Sequence, residues 1–160
     1  MTIHLDVSDR VATVTIDRPH RRGALDLESL EALHRSVEAA VAGGARALVV
    51  TGSQGHFCAG ADLTELEDVS FTTRLAQVLA HLAAVPVTTV AAIEGSCMGL
   101  GMQLALACDV RVVAATARFA VPVARLGLMV DHWTLERLSR FWGEGAARHM
   151  VLTGTVLDAD

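Results

Sequence analysis

The sequence predicts a single α/β domain spanning residues 1–160, and three observations carry that reading. The chain opens on two alternating segments that form a hairpin. Apolar strand-like runs then alternate with stretches at helical spacing. Finally, the segment Ala91 to Val113 sets a strand, a glycine turn, a helix apolar on every face and another strand in direct succession, an order that belongs to an α/β core. With 160 residues the chain can bury about two-thirds of the surface its unfolded form exposes.

The elements follow in order. Ile3 to Val7 and Val11 to Ile16 alternate apolar and polar residues around Ser8-Asp9-Arg10. Asp17 to Gly23 is a polar, breaker-rich loop. Leu27, Leu30, Leu33, Val37 and Val41 then recur at helical spacing, and Gly43-Gly44 end the helix. Ala45 to Thr51 is a short apolar strand, and Gly52 to Ala61 a second glycine-rich loop. A short helix is expected from Asp62 to about Leu66, and another from Phe71 to Ala84, closed by Pro86. Val87 to Ile93 reads as a strand, Met102 to Cys108 as the buried helix and Val110 to Ala114 as the next strand. Two amphipathic helices follow, Trp133 to Trp142 before Gly143 and Gly145 to Leu152 before Gly154. The final Leu157-Asp158-Ala159-Asp160 resembles the start of a further turn and helix, so a shortened form of a longer protein is expected.

Composition excludes several functions. Although 52% of residues are hydrophobic, no run reaches the ~18 uninterrupted apolar residues of a membrane span. The N-terminal segment alternates and carries charges, unlike a signal peptide. A net charge of −5 argues against general nucleic-acid binding. All 13 basic residues are arginine, which removes a Schiff-base lysine and a P-loop lysine, and there is no tyrosine to act as a phenolic acid or base. The lysine deficit is what a GC-rich bacterial genome produces. Cys58, Cys97 and Cys108 stand in apolar or glycine-rich surroundings without metal-ligand spacing, the pattern of reduced, buried cysteines in a cytoplasmic protein. No metal site is expected.

Gly95, Gly99 and Gly101 permit unusual backbone angles and close approach just before a helix, whose first N–H groups lack partners and carry partial positive charge. Such a turn can hold a developing negative charge. Taken alone, each glycine loop is most simply a structural turn.

Several stretches make the chain recognisable together: Asp17-Arg18-Pro19 with Gly23-Ala24-Leu25, Leu48 to Gly52, Phe57 to Leu63, Gly95 through Asp109, Phe119 to Pro122 and Leu126-Gly127-Leu128. In these the sequence resembles the crotonase, or enoyl-CoA hydratase/isomerase, superfamily over almost its whole length. The resemblance implies a crotonase-like spiral of ββα units with the C-terminal helical region missing. It also implies assembly as a trimer or hexamer, and an acyl-CoA ligand. No separate cofactor is implied, because coenzyme A is carried by the substrate. It places the two N–H donors for a thioester oxygen at Ala61 and at Leu100, the second being a position where many relatives have glycine. The substrate and its CoA moiety would lie along Arg21, Arg22, Ala24, Ala59, Gly60, Asp62, Leu63, Gly99 and Gln103.

The same resemblance weighs against hydration. The two glutamates of hydratases are replaced by Gln103 and by Val123, neither of which exchanges a proton near neutral pH. Asp131 stands where other branches place an aspartate. Burial between Val130 and Trp133 would raise its pKa and suit it to acid/base work, while capping of the helix near Trp133 fits it equally well. His132, His20, His56 and Cys58 read as packing or surface residues. Asp62 reads as a helix cap and Asp109 as a hydrogen-bonding anchor of the following turn. The expected function is binding of a fatty acyl- or enoyl-CoA thioester, with Asp131-dependent proton transfer as the enzymatic form. A non-catalytic acyl-CoA-binding protein, or an incomplete inactive remnant, is the alternative.

Overall fold

A computed structural model describes residues 2–62 and 69–160. Strand β1 (Ile3–Ser8) pairs antiparallel with β2 (Val11–Ile16), from Ile3 opposite Ile16 to Ser8 opposite Val11. The turn residues Asp9 and Arg10 both take positive φ, 50° and 63°. The alternation then does what the sequence predicts: Ala12, Val14 and Ile16 are buried, and the residues between them are not. Within this sheet, the hairpin is the one antiparallel pairing among the described residues. β3 (Ala47–Gly52), β4 (Thr88–Ile93) and β6 (Val110–Val113) are parallel to β2 and give one five-stranded sheet, ordered β1-β2-β3-β4-β6.

The crossovers are helical. α1 (Leu27–Ala42) starts at Asp26, whose carboxylate accepts the Ser29 N–H at 2.9 Å, and buries Leu30, Leu33 and Val37. α2 (Val69–Leu82) is tied to α1 by a two-pronged ion pair from Arg74 to Glu31, at 2.6 and 2.9 Å. α3 (Leu100–Ala107) is buried at every position except Gln103. Arginines satisfy its last carbonyls: Arg111 donates to Ala105 and Cys108, and Arg137 to Leu106. Asp109 accepts from the Thr89 N–H and hydroxyl, at 2.8 and 2.9 Å, and so anchors the end of this unit to β4.

The second sheet that the crotonase resemblance implies has two short strands, neither of which was assigned from the sequence. β5 (Ser96–Met98) pairs in parallel with β7 (Arg118–Ala120), with Cys58 bridged to Cys97 and Leu157 to Phe119. Three-residue strands carry too little alternation to be read from sequence, and long-range pairing decides them. The helical turn α4 (Val123–Leu126) was also unexpected, as was a 3₁₀ turn at Pro19–Arg21. Two helices close the described chain, α5 (His132–Trp142) and α6 (Glu144–Thr153). The short helix expected from Asp62 to about Leu66 falls largely outside the described residues. Among those described, no helix is long and apolar enough to cross a membrane.

One close approach joins the two glycine loops. Cys58 donates its N–H to Ser96 and accepts from Met98, at 2.8 and 2.9 Å. This brings the Cys58 carbonyl under the first turn of α3, where a Cβ on Gly101 would sit 2.2 Å from it. Gly101 has an ordinary helical position, so the requirement is for space, not for unusual backbone angles. Gly101→Ala is therefore expected to destabilise by about 1–3 kcal/mol through overpacking. Gly145→Ala in α6, which meets nothing, should instead stabilise by about 0.5 kcal/mol. Denaturant unfolding of both variants checks this, and equal stability changes would contradict the close approach.

Candidate functional site

A cavity of about 790 Å³ lies between α2, the Ala59–Ala61 loop, the start of α3 and the segment running from Val121 to Thr134. Its walls are mainly apolar: Phe71, Leu75 and Leu79 from α2, and Met98, Val121 and Trp133 opposite. α2 can serve as a wall because its other face is bound to α1 through Arg74 and Glu31.

Two backbone donors stand on this cavity. Leu25 and the segment around Ala61 pair in parallel: Leu25 donates to Gly60 at 2.9 Å, and Asp62 donates to Leu25 at 2.8 Å. That pairing turns the Ala61 N–H away from Leu25. The Leu100 N–H lies in the first turn of α3, ahead of the first helical bond, Gln103 to Gly99 at 3.1 Å. Among the described residues neither donor has an acceptor, and both Ala61 and Leu100 line the cavity. Gly99, at φ 50° and ψ −110°, makes the bend that aims the helix start, and its own N–H is bound to Ala120 at 2.9 Å.

Cavity-lining residues anticipated from sequence are Ala59, Gly60, Ala61, Gly99, Leu100, Gln103 and Asp131. Pro122 and Val123 line it too. Four others do not: Arg21, Arg22 and Ala24 lie on the loop leading into α1, and Asp62 directly follows Ala61. The Ala59 N–H bonds to the Arg22 carbonyl at 3.0 Å, which holds that loop in place, and both Arg21 and Arg22 are exposed. Leu63 lies outside the described residues. Among the residues described, no group of three or more His, Cys, Asp or Glu side chains could hold a metal ion.

Asp131 differs from the expectation of a buried carboxyl. It is exposed, as are Leu128 and Met129 before it, Met129 at 94% exposure. It caps α5, accepting the Thr134 N–H at 2.9 Å. Its other oxygen accepts from the Thr134 hydroxyl at 2.6 Å and from Gln103 Nε2 at 3.0 Å. Thr134 was missed because a threonine in the first turn of an amphipathic helix has no sequence signal of its own.

Arg18 was missed as well. Its guanidinium donates to the Ala24 carbonyl at 2.6 Å and pairs with Asp26 at 2.7 Å and Asp62 at 3.7 Å. It thereby gathers the loop, the α1 cap and the residue after Ala61. Burial opposes ionisation of Asp26, but hydrogen bonds from Ser29 and the Arg18 charge outweigh it and hold the carboxyl below its usual range. His56 accepts the Ser96 N–H at 3.3 Å, while His20 and His132 are exposed.

With this geometry in place, comparison with known proteins shows the family. Residues 6–160 match the family described as enoyl-CoA hydratase/isomerase, and the chain belongs to it. It is 40% identical over 159 residues to a probable enoyl-CoA hydratase, echA6, of Mycobacterium tuberculosis, covering 99% of this chain and 65% of that protein. A probable enoyl-CoA hydratase, echA8, of the same organism is 34% identical and is covered over 63% of its length. The chain thus spans about 65% of the length of these curated relatives. A Pseudomonas aeruginosa structure, PA4980, superposes with a TM-score of 0.90 at 36% identity, covering 99% of this chain and 72% of that one. An enoyl-CoA hydratase/carnithine racemase structure from Magnetospirillum magneticum gives 0.92 at 29%, with 100% and 64% covered. The fold is the crotonase-like one.

Burial pushes the Cys58 thiol up to about 12, with the Gly60 carbonyl as its contact, and Cys108 to about 12 as well; Cys97 is also raised by burial. At pH 8 all three are neutral thiols, since a raised pKa keeps the proton on. A disulfide reagent should therefore label none of them in the folded chain and all three after unfolding. Fast labelling of Cys58 in the folded protein would contradict its role as buried filler.

Proposed function

We propose that this chain binds a fatty acyl- or enoyl-CoA thioester without hydrating it. The thioester oxygen accepts from the Ala61 and Leu100 N–H groups, and the acyl chain enters the apolar cavity. What carries this reading is the pair of N–H groups without acceptors at the edge of a large apolar space. Polar backbone groups in such surroundings gain most from a ligand acceptor. The exposed Arg21 and Arg22, on the loop that Ala59 anchors, suit the phosphates of the CoA nucleotide.

Hydration needs an acid and a base. Gln103 is an amide and Val123 a hydrocarbon, and among the described lining residues Asp131 is the one carboxylate. That carboxylate is already engaged by Thr134 and Gln103. Because Asp131 lines the cavity, proton transfer through it, as in double-bond isomerisation, is the competing reading.

Proline suits the first helical position and removes the donor there, so Leu100→Pro tests the N–H with Leu100→Ala as the packing control. Calorimetric titration with octanoyl-CoA should show binding that Leu100→Pro weakens about 5-fold to 10-fold relative to Leu100→Ala. Hydration of a 2-enoyl-CoA should stay near the uncatalysed rate. Equal affinities in the two variants would overturn the thioester reading. Isomerisation of a 3-enoyl-CoA that disappears in Asp131→Asn would replace the binding reading with the enzymatic one.

A further inference from the structure

Gln103 is the one residue of α3 that is not buried, and its amide is held in a single orientation by its partners. A carboxylate only accepts, so the atom that Gln103 turns to Asp131 Oδ2, at 3.0 Å, must be the NH₂ group. The same Nε2 lies 2.9 Å from the Thr134 hydroxyl oxygen. That hydroxyl gives its only proton to Asp131 Oδ2 at 2.6 Å, and therefore accepts from Gln103. Turning the amide over would set its oxygen against the carboxylate and leave one hydroxyl proton for two acceptors. Thr134 is buried at 1% exposure and its N–H is also fixed on Asp131, so the arrangement has no slack.

Both amide protons are thus spent on Asp131 and Thr134. The oxygen Oε1, which has no partner among the described residues, is the atom that Gln103 can offer the cavity it lines. Gln103 follows Leu100 by three residues on the same helix face, and helical side chains lean back over the preceding turn. An acceptor there faces the carbons next to a thioester oxygen held at Leu100.

We propose that Asp131 and Thr134 are positioning residues that fix Gln103 as an acceptor-only group, so that the site selects acyl-CoA thioesters bearing a hydroxyl near the carbonyl over those bearing a keto oxygen. This rests on the thioester reading above. It assigns Asp131 a task that a helix cap alone does not have.

Three ligands of equal chain length test it by calorimetric titration of the whole chain: octanoyl-CoA, 3-hydroxyoctanoyl-CoA and 3-oxooctanoyl-CoA. The hydroxy ligand should bind about tenfold tighter than the oxo ligand, the size of one hydrogen bond made against one refused. Asp131→Asn keeps a capping oxygen but can turn an NH₂ group towards Gln103. The Gln103 amide then turns over, presents its own NH₂ to the cavity and reverses the preference towards the oxo ligand. A helix cap lost or kept would not reverse it. Gln103→Met, which removes the acceptor and keeps the length, should bring the two affinities within about twofold, and it tests the proposal should the first variant not fold.

Equal binding of the hydroxy and oxo ligands by the unaltered chain, with octanoyl-CoA still bound, would overturn this inference and leave the thioester reading standing. A hydroxyl preference that persists in Asp131→Asn or Gln103→Met would overturn it as well. Failure of all three ligands to bind would remove the thioester reading and this inference together.

Discussion

The contact between Gly101 and the Cys58 carbonyl sets the positions of almost everything around the cavity. It fastens the first turn of α3 to the edge of the small sheet, where Cys58 is paired to Ser96 and Met98. The loop leaving Cys58 carries Ala61, and the helix leaving Gly99 carries Leu100. Their two N–H groups therefore belong to one rigid unit and not to two independently moving loops. No side chain is compatible with the contact, since the carbonyl occupies the space a Cβ would need. Arg18 extends the same unit outward, through Ala24, Asp26 and Asp62, to the loop of Arg21 and Arg22.

Upon that frame the cavity carries few polar side chains. Val123 contributes a hydrocarbon wall, and Gln103, Asp131 and Thr134 form one hydrogen-bonded polar cluster beside it. Asp131 does not restore a free carboxylate, because its oxygens are spent on the α5 cap, the Thr134 hydroxyl and the Gln103 amide. It stands at the open side of the cavity, after the exposed residues Leu128 and Met129 that also line it. In the proposed reading, this network makes Asp131 a group that orients its neighbour Gln103.

Much of this was legible in the sequence, and the exceptions share a cause. The hairpin, the parallel strands β3, β4 and β6, and helices α1, α2, α3, α5 and α6 follow from periodicity and caps, shifted by a residue or two at their ends. Gly99, Leu100 and the loop to Ala61, which stand out in the sequence, line the cavity, while Gly101 packs on the Cys58 carbonyl instead. β5, β7 and α4 did not show, because each is three or four residues long, and the two strands exist through pairing with each other across some twenty residues of chain. Arg18 and Thr134 stayed hidden for the same reason: each acts through partners distant in sequence, Asp62 for one and Gln103 for the other. Burial of Asp131 was inferred from apolar neighbours in sequence, and adjacency along the chain does not fix which way a loop faces.

The most direct test is a crystal structure of the chain with bound octanoyl-CoA. The thioester oxygen should lie within about 2.7–3.2 Å of both the Ala61 and Leu100 nitrogens, with the acyl chain between α2 and Trp133. A thioester oxygen directed away from both nitrogens, with the acyl chain outside the cavity, would contradict the account.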